Sequence, residues 1–153
     1  MTEQVNLRPV TMADAEDLLV WRNDPETRHA SHNTDEILLD RHLAWLEASL
    51  NKPEQRRLWI AEMNAKSVGT CRADRIDGAW ELSWTVAPNF RGKGIAQKML
   101  SAIIERFQDP LVAEIKVGNI ASIKVSERAG FIFDKEEHGV LFYVFPRKPT
   151  SSY

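Results

Sequence analysis

The amino-acid sequence predicts an α/β domain, a mixed sheet covered by helices on both faces. Three observations lead there. Stretches of period-two alternation are interleaved with stretches of helical period. Short Asn/Asp/Gly turns join successive strand-like runs as hairpins. A glycine-rich loop then leads from a strand into a helix that is followed by another strand, which makes a parallel crossover.

Residues 7–10 follow a polar lead and read as the first strand. Thr11, with Asp14 three residues on, has a capping-box pattern and opens a helix running to about Trp21. Asn23-Asp24-Pro25 breaks it, because proline disfavours helical backbone in the preceding residue. Residues 22–34 are predicted to be a polar loop. A second helix is predicted to begin near residues 33–36 and to end at Asn51-Lys52-Pro53. Leu39, Leu43, Leu46 and Leu50 give it one apolar stripe, with His42 and Trp45 on the adjacent face.

Strand-like runs follow at residues 58–63, 67–76 and 80–86, with turns at Asn64-Ala65-Lys66 and Asp77-Gly78. In the third run Trp80, Leu82, Trp84 and Val86 alternate with Glu81, Ser83 and Thr85, which puts Glu81 on the face opposite the tryptophans. Residues 88–94 read as a loop, 95–107 as a helix closed by Pro110, 111–117 as a strand and 120–129 as a helix with Gly130 as its C-cap. Residues 131–134 and 140–145 form a last hairpin. The expected organisation is one domain over residues 1–148 with a loose tail at 149–153.

A chain of 153 residues that is 43% hydrophobic can build a sizeable core; at such a length folding buries roughly 70% of the unfolded surface. The net charge is −2, so no broad basic field recommends nucleic acid or an anionic membrane as a partner. The lone Cys71 can form no internal disulfide and reads as a small buried apolar residue. Residues 1–7 are polar and no apolar run approaches the roughly 20 residues that span a bilayer. The expected location is the cytoplasm.

The segment Val86-Ala87-Pro88-Asn89-Phe90-Arg91-Gly92-Lys93-Gly94-Ile95-Ala96 carries the most information. Glycines let backbone N–H groups turn inward, and a helix N-terminus adds free donors and partial positive charge. Together they suit a diphosphate, with Arg91 and Lys93 adding charge nearby. The dinucleotide fingerprint needs a third glycine and the ATP-type loop needs Gly-Lys-Ser/Thr; neither is present. What remains is Arg91-x-x-Gly94-x-Ala96. A second block, Glu114-Ile115-Lys116-Val117-Gly118-Asn119 followed by Ala121-Ser122 and Ala129-Gly130-Phe131, is a strand, an asparagine and a helix ended by Gly-Phe.

In both blocks, in order and spacing, the chain resembles acetyltransferases of the GNAT superfamily. The resemblance implies a GNAT-like mixed, mostly antiparallel sheet with helices on both faces and a parallel β-α-β crossover at the acetyl-CoA site. It implies acetyl-CoA as cosubstrate, no metal, and direct attack of a neutral amine on the thioester. Val86, Arg91, Gly92, Lys93, Gly94, Ile95 and Ala96 would line the cofactor, with a backbone N–H on the strand before the loop donating to the thioester oxygen. Asn119 would bond the pantetheine arm or a water, or serve as an N-cap, or both. Ser122 would complete that cap or touch the cofactor.

A base must take a proton from the amine. Glu114 matches the catalytic glutamate of some ribosomal-protein N-terminal acetyltransferases, and Glu81 a base position in other branches. Glu81 is favoured because its face opposes the tryptophan-rich one; either is otherwise a solvated strand carboxylate. Where many relatives carry a tyrosine as general acid, this chain has Ser126, a poor acid that positions a water or simply lies on the helix surface.

Trp21-Arg22-Asn23-Asp24-Pro25-Glu26-Thr27-Arg28, then Ser31, then His42-x-x-Trp45-Leu46, resembles the N-terminal half of acetyltransferases acting on nucleotide-linked amino sugars, including those of pseudaminic-acid-type pathways. Ribosomal-protein N-terminal acetyltransferases share a weaker form. Arg22, Asn23, Arg28, His42 and Trp45 are the expected acceptor-binding set, the arginines for phosphates and Trp45 for stacking. The alternative is a polar loop whose arginines pair with Asp24, Glu26 and Asp35. His29, His32, His42 and His138 match no zinc spacing. The expected partner is a small-molecule amine acceptor, with no nucleic acid and no membrane, on a monomer or homodimer. Competing readings are a protein N-terminal acetyltransferase and a non-catalytic acyl-CoA-binding module.

Overall fold

A computed structural model of the protein describes residues 4–147. The tail at 149–153 lies outside the described residues. Seven strands form one sheet: β1 (Asn6–Pro9), β2 (Arg56–Met63), β3 (Lys66–Ile76), β4 (Ala79–Val86), β5 (Leu111–Lys116), β6 (Ile132–Glu137) and β7 (Val140–Phe145). Their spatial order is β1-β2-β3-β4-β5-β7-β6. All neighbours are antiparallel except β4 and β5, which are parallel and are joined through the helix α4 (Ile95–Ile104).

Both hairpins between β2, β3 and β4 turn on residues with left-handed backbone. Asn64 and Ala65 (φ 52° and 64°) link the first pair, and Asp77 and Gly78 (φ 43° and 82°) link the second. Two successive positive φ values match the right-handed twist of a two-residue hairpin.

The alternation along each strand divides the core in two. Trp59 and Ala61 of β2 face one side of the sheet with Cys71, Ala73, Trp80, Leu82, Ala113 and Ile115. There α4 covers them with Met99, Leu100 and Ile103. Leu58 and Ile60, on the other face of β2, pack with Leu18 and Trp21 of α1 (Ala15–Asn23) and with Leu46 of α3 (Leu39–Leu50). Helices therefore lie on both faces. Cys71 is a free, buried thiol, and burial pushes it up to about 12.

The N-terminal cap forms as expected: Thr11 and Asp14 make a reciprocal capping box ahead of α1. Arg8 then binds the Asp14 carboxylate at 2.7 and 2.9 Å.

Two expectations need correcting. The predicted polar loop at 22–34 contains a helix, α2 (Pro25–Ala30). Asp24-Pro25 ends α1 but also starts α2, with the Asp24 carboxylate accepting from the Thr27 N–H and proline at the first helical position. The following helix begins at Leu39, not at 33–36. Asn33 accepts from the Asp35 N–H, and Asn23 holds Ile37 at both backbone groups, so these residues are drawn into an ordered loop instead. Smaller differences are the end of α4 at Ile104 and the longer span of β6. Helix α5 (Ile120–Ala129) and its Gly130 C-cap (φ 108°) match the expected bounds. No helix among the described residues is long and apolar enough to cross a membrane.

Candidate active site

The site grows from the splay between β4 and β5. Their ladder consists of Trp80 opposite Leu111 and Glu81 opposite Val112. Trp80 donates its N–H to Pro110 on the β5 side, whereas Ala87 donates to Val68 on the β3 side. Backbone groups alternate along a strand, so the Val86 N–H points to the β5 side, where the ladder has already ended.

Beyond Val86 the chain makes a short turn at Pro88–Phe90 and passes through Gly92 and Gly94 into α4. Both glycines are left-handed, at φ 76° and 74°. An L-residue there would be strained by about 1–2 kcal/mol. A Cβ on either would meet nothing within 4 Å, so the loop presents bare backbone to open space. Gly94 caps α4 without a side-chain bond, which leaves the first N–H groups of the helix free for an anion. Ile95 is buried and anchors the turn, and Ala96 is half-buried. Lys93 is exposed, its ammonium 5.7 Å from the centre of the Phe90 ring.

The Arg91 guanidinium is held by side chains at the start of α2. It binds Asp24 at 2.5 Å, Glu26 at 2.6 Å and Thr27 at 3.0 Å, tying the loop to the start of α2. The same guanidinium holds the Asp24 carboxyl below its ordinary range.

On the sheet face opposite Trp80 and Leu82, period two brings Arg72 and Asp74 of β3, Glu81 of β4 and Glu114 of β5 together. Glu81 and Glu114 are close enough to hydrogen-bond. Burial first, then the Glu114 and Asp74 charges, push the Glu81 carboxyl up to about 7. Arg72 opposes this, and is itself engaged at 2.7 Å with Asp74. The imidazole of His32 lies 3.5 Å from Glu114. One side-chain atom from each of His32, Glu81 and Glu114 falls within 4.8 Å of the others.

The expected acceptor-binding residues divide. The Arg22 guanidinium donates to the Asn33 carbonyl at 2.7 Å, while its Nη1 is buried without a partner. Burial and the charges of Arg28 and Arg72 depress Arg22. Arg28 pairs with Glu36 at 3.9 Å, and its Nε is likewise buried without a partner among the described residues. The charges of Arg28 and Arg72 thus act on Arg22, and two buried guanidinium donors have no partner among the described residues.

Asn23 is spent on the Ile37 backbone, accepting at 2.7 Å and donating at 2.9 Å. His42 is buried, and its Nε2 bonds the Ala15 carbonyl at 3.0 Å, bracing α3 against α1. Burial keeps its ring below the ordinary histidine range. Trp45 stacks on His42 at 6.0 Å and carries Arg56 and Arg72 over its ring at 5.3 and 5.2 Å.

Asn119 caps α5, accepting from the Ser122 N–H at 3.3 Å. Ser126 is fully buried and its hydroxyl donates to the Ile123 carbonyl at 2.9 Å, so its proton is already committed.

Sequence reasoning missed His32, Arg72 and Asp74. The period of two in β3, with Cys71 and Ala73 inward, was a usable signal for Arg72 and Asp74. No spacing announces His32, since a loop carries it to the sheet.

Comparison with known proteins agrees with this geometry. The domain family described as Acetyltransferase (GNAT) domain matches residues 4–132. No curated protein sequence matches the chain. Among solved structures, a ribosomal-protein-alanine N-acetyltransferase from Brucella melitensis is 27% identical, with a TM-score of 0.75 over 91% of this chain and 98% of that one. RimL, a ribosomal L7/L12 alpha-N-protein acetyltransferase in complex with coenzyme A, is 16% identical, with a TM-score of 0.79 over 92% and 93%. The enzyme AAC(6')-Ib, in complex with ribostamycin and coenzyme A, is 21% identical, with a TM-score of 0.79 over 92% of each chain. A splayed parallel pair, a bare glycine loop at a helix start and a family match over most of its length lead to one conclusion: this chain belongs to the GNAT acetyltransferase family and is an acetyl-CoA-dependent N-acetyltransferase.

Proposed function

We propose that the acceptor is a nucleotide-linked amino sugar, with its phosphates on Arg22, Arg28 and Arg72 and its amine facing Glu81. The observation that carries this reading is the arginine trio. Like charges repel in a half-buried setting, and Arg22 Nη1 and Arg28 Nε have no partner among the described residues. An anion on the ligand fills both donors and relieves the repulsion. Because Arg72 also borders Glu81, the anionic part of the acceptor sits beside the base.

In the same reading Gly92, Gly94 and the first N–H groups of α4 hold the cofactor diphosphate. The Val86 N–H donates to the thioester oxygen as negative charge develops there. Glu81, with a pKa near working pH, takes the proton from the amine. The neutral nitrogen then attacks the thioester carbon. Ser126 has no part in this scheme, and the thiolate leaves without a side-chain acid.

The test is release of free coenzyme A thiol with a panel of acceptors: nucleotide-linked amino sugars, the same sugars without the nucleotide, aminoglycosides and ribosomal-type N-terminal peptides. Turnover on the nucleotide-linked sugars, with KM raised at least about tenfold by Arg22→Ala or Arg28→Ala, is the expected result. Activity on peptides alone would overturn it in favour of the protein N-terminal reading, which the fold likeness to RimL and the Brucella enzyme keeps as the second candidate.

A further inference from the structure

The loop between α2 and α3 is fastened at two points by the motif that precedes it. Arg22 grips the Asn33 carbonyl, and the Asn23 side chain pairs with both backbone groups of Ile37. Asn33 adds a turn by accepting from the Asp35 N–H. A loop held in this way presents one titratable side chain to the sheet, His32, with Nε2 3.5 Å from the Glu114 carboxylate.

The three groups form a compact cluster in which His32 is the most exposed. Glu81 is half-buried at the splay, the Glu114 side chain is 27% exposed, and the His32 side chain is 59% exposed. Acetylation of an ammonium releases one net proton per turnover, and Glu81 is bordered by the Glu114 carboxylate, which in turn lies beside His32. We propose that His32 is the outlet for that proton, taking it from Glu81 through Glu114 and releasing it to water.

This rests on Glu81 being the base. The ammonium N–H bond breaks and its proton bonds to the Glu81 carboxylate. It moves to Glu114, then to the Nε2 of neutral His32, while the proton on Nδ1 leaves to water or buffer. The freed nitrogen lone pair attacks the thioester carbon, and the C–S bond breaks with its electron pair on sulfur. The second nitrogen proton ends on that sulfur, giving amide, thiol and one solvent proton.

His32 touches the carboxylates and not the reacting atoms, so it is a positioning and relay residue. The charged groups facing it and the carboxylates are Arg72 and Asp74 from β3, Glu81 from β4, Glu114 and Lys116 from β5, and Arg22 and Arg28 from α1 and α2.

The test uses the full chain in weak buffer. His32→Ala is expected to lower kcat about tenfold with both KM values little changed, and imidazole added to the assay should restore the rate in a saturable way. Glu81→Gln should be slower still and gain nothing from imidazole. If His32→Ala matches wild type at every buffer concentration, the relay is wrong although the enzyme reading stands. If wild type acetylates no amine in the panel, the enzyme reading falls and the relay with it. A rate abolished by EDTA and restored by zinc would also overturn the relay, because the trio would then be holding an ion. A readout independent of turnover is nuclear magnetic resonance of the His32 ring. Its nitrogen signals should move on Glu114→Gln and not on the remote, exposed Glu136→Gln. Unmoved signals in both would sink the proposal.

Discussion

Glu81 shows how a fold tunes one carboxyl. Two strands place it beside Glu114, burial removes water, and Asp74 adds a further negative charge, so that it holds its proton to about pH 7. A base must be ionised to act. With saturating acetyl-CoA, kcat/KM should therefore rise about tenfold per pH unit below that value and level off above it. Glu81→Gln should cost about 10²–10⁴-fold in kcat and abolish this limb of the profile. Retained turnover with an unchanged limb would move the role to another group. Ser126 behaves differently because its hydroxyl is held by the Ile123 carbonyl; Ser126→Ala should leave the kcat of acetyl transfer within about twofold, the change expected where no reacting proton is lost.

At the scale of elements, the glycine loop and its helix work as one part. Gly94→Ala keeps the chain length but forces a Cβ into left-handed backbone and into the open space where a diphosphate would lie. The expected outcome is a KM for acetyl-CoA raised several-fold or more, with a loss of stability of about 1 kcal/mol. Calorimetric titration with coenzyme A and a thermal melt measure the two effects separately. Gly69 answers to a different cause. A Cβ there would sit 2.5 Å from the Thr85 carbonyl and 2.9 Å from the Met99 sulfur, so β3, β4 and α4 meet only because this residue has none. Gly69→Ala should destabilise by about 1–3 kcal/mol through overpacking, read as a lower denaturant midpoint at unchanged slope. Arg91 joins the loop to α2 rather than to open solvent. Its loss would loosen the glycine loop and the start of α2 together.

For the whole molecule, the raised Glu81 carboxyl links stability to pH. Folded protein binds a proton on Glu81 more tightly than unfolded chain, whose value is the ordinary 4.5. The contribution of this group is thus present at low pH and is lost as pH rises from about 4.5 through about 7. Glu81→Gln removes the penalty. Its melting temperature relative to wild type should climb across that window and hold constant above it. A difference that stays flat with pH would mean that Glu81 is not buried against its neighbours.

Much of this architecture can be read before any coordinates. The period of two in Trp80–Val86 places Glu81 opposite the tryptophans, and the structure finds Trp80 and Leu82 in the core and Glu81 on the other face. Gly92 and Gly94 before Ile95 announce a helix start with bare backbone. These are local facts, fixed by strand pleat and by the conformations a glycine allows. Helix α2 was hidden because Asp-Pro both ends one helix and begins another, and neighbouring residues alone do not choose between them. His42 and Trp45 stand three apart in the sequence, but their contacts with Ala15, Arg56 and Arg72 come from packing between elements.

By itself, then, the sequence determined the strands, the crossover loop and the chemistry that such a loop supports, because each depends on residues a few places apart. The meeting of His32, Glu81 and Glu114, and the action of the Arg28 and Arg72 charges on Arg22, were decided by the tertiary structure. Those groups lie tens of residues apart, and what joins them is the order of strands in the sheet and a loop pinned by Asn23, which local pattern does not encode.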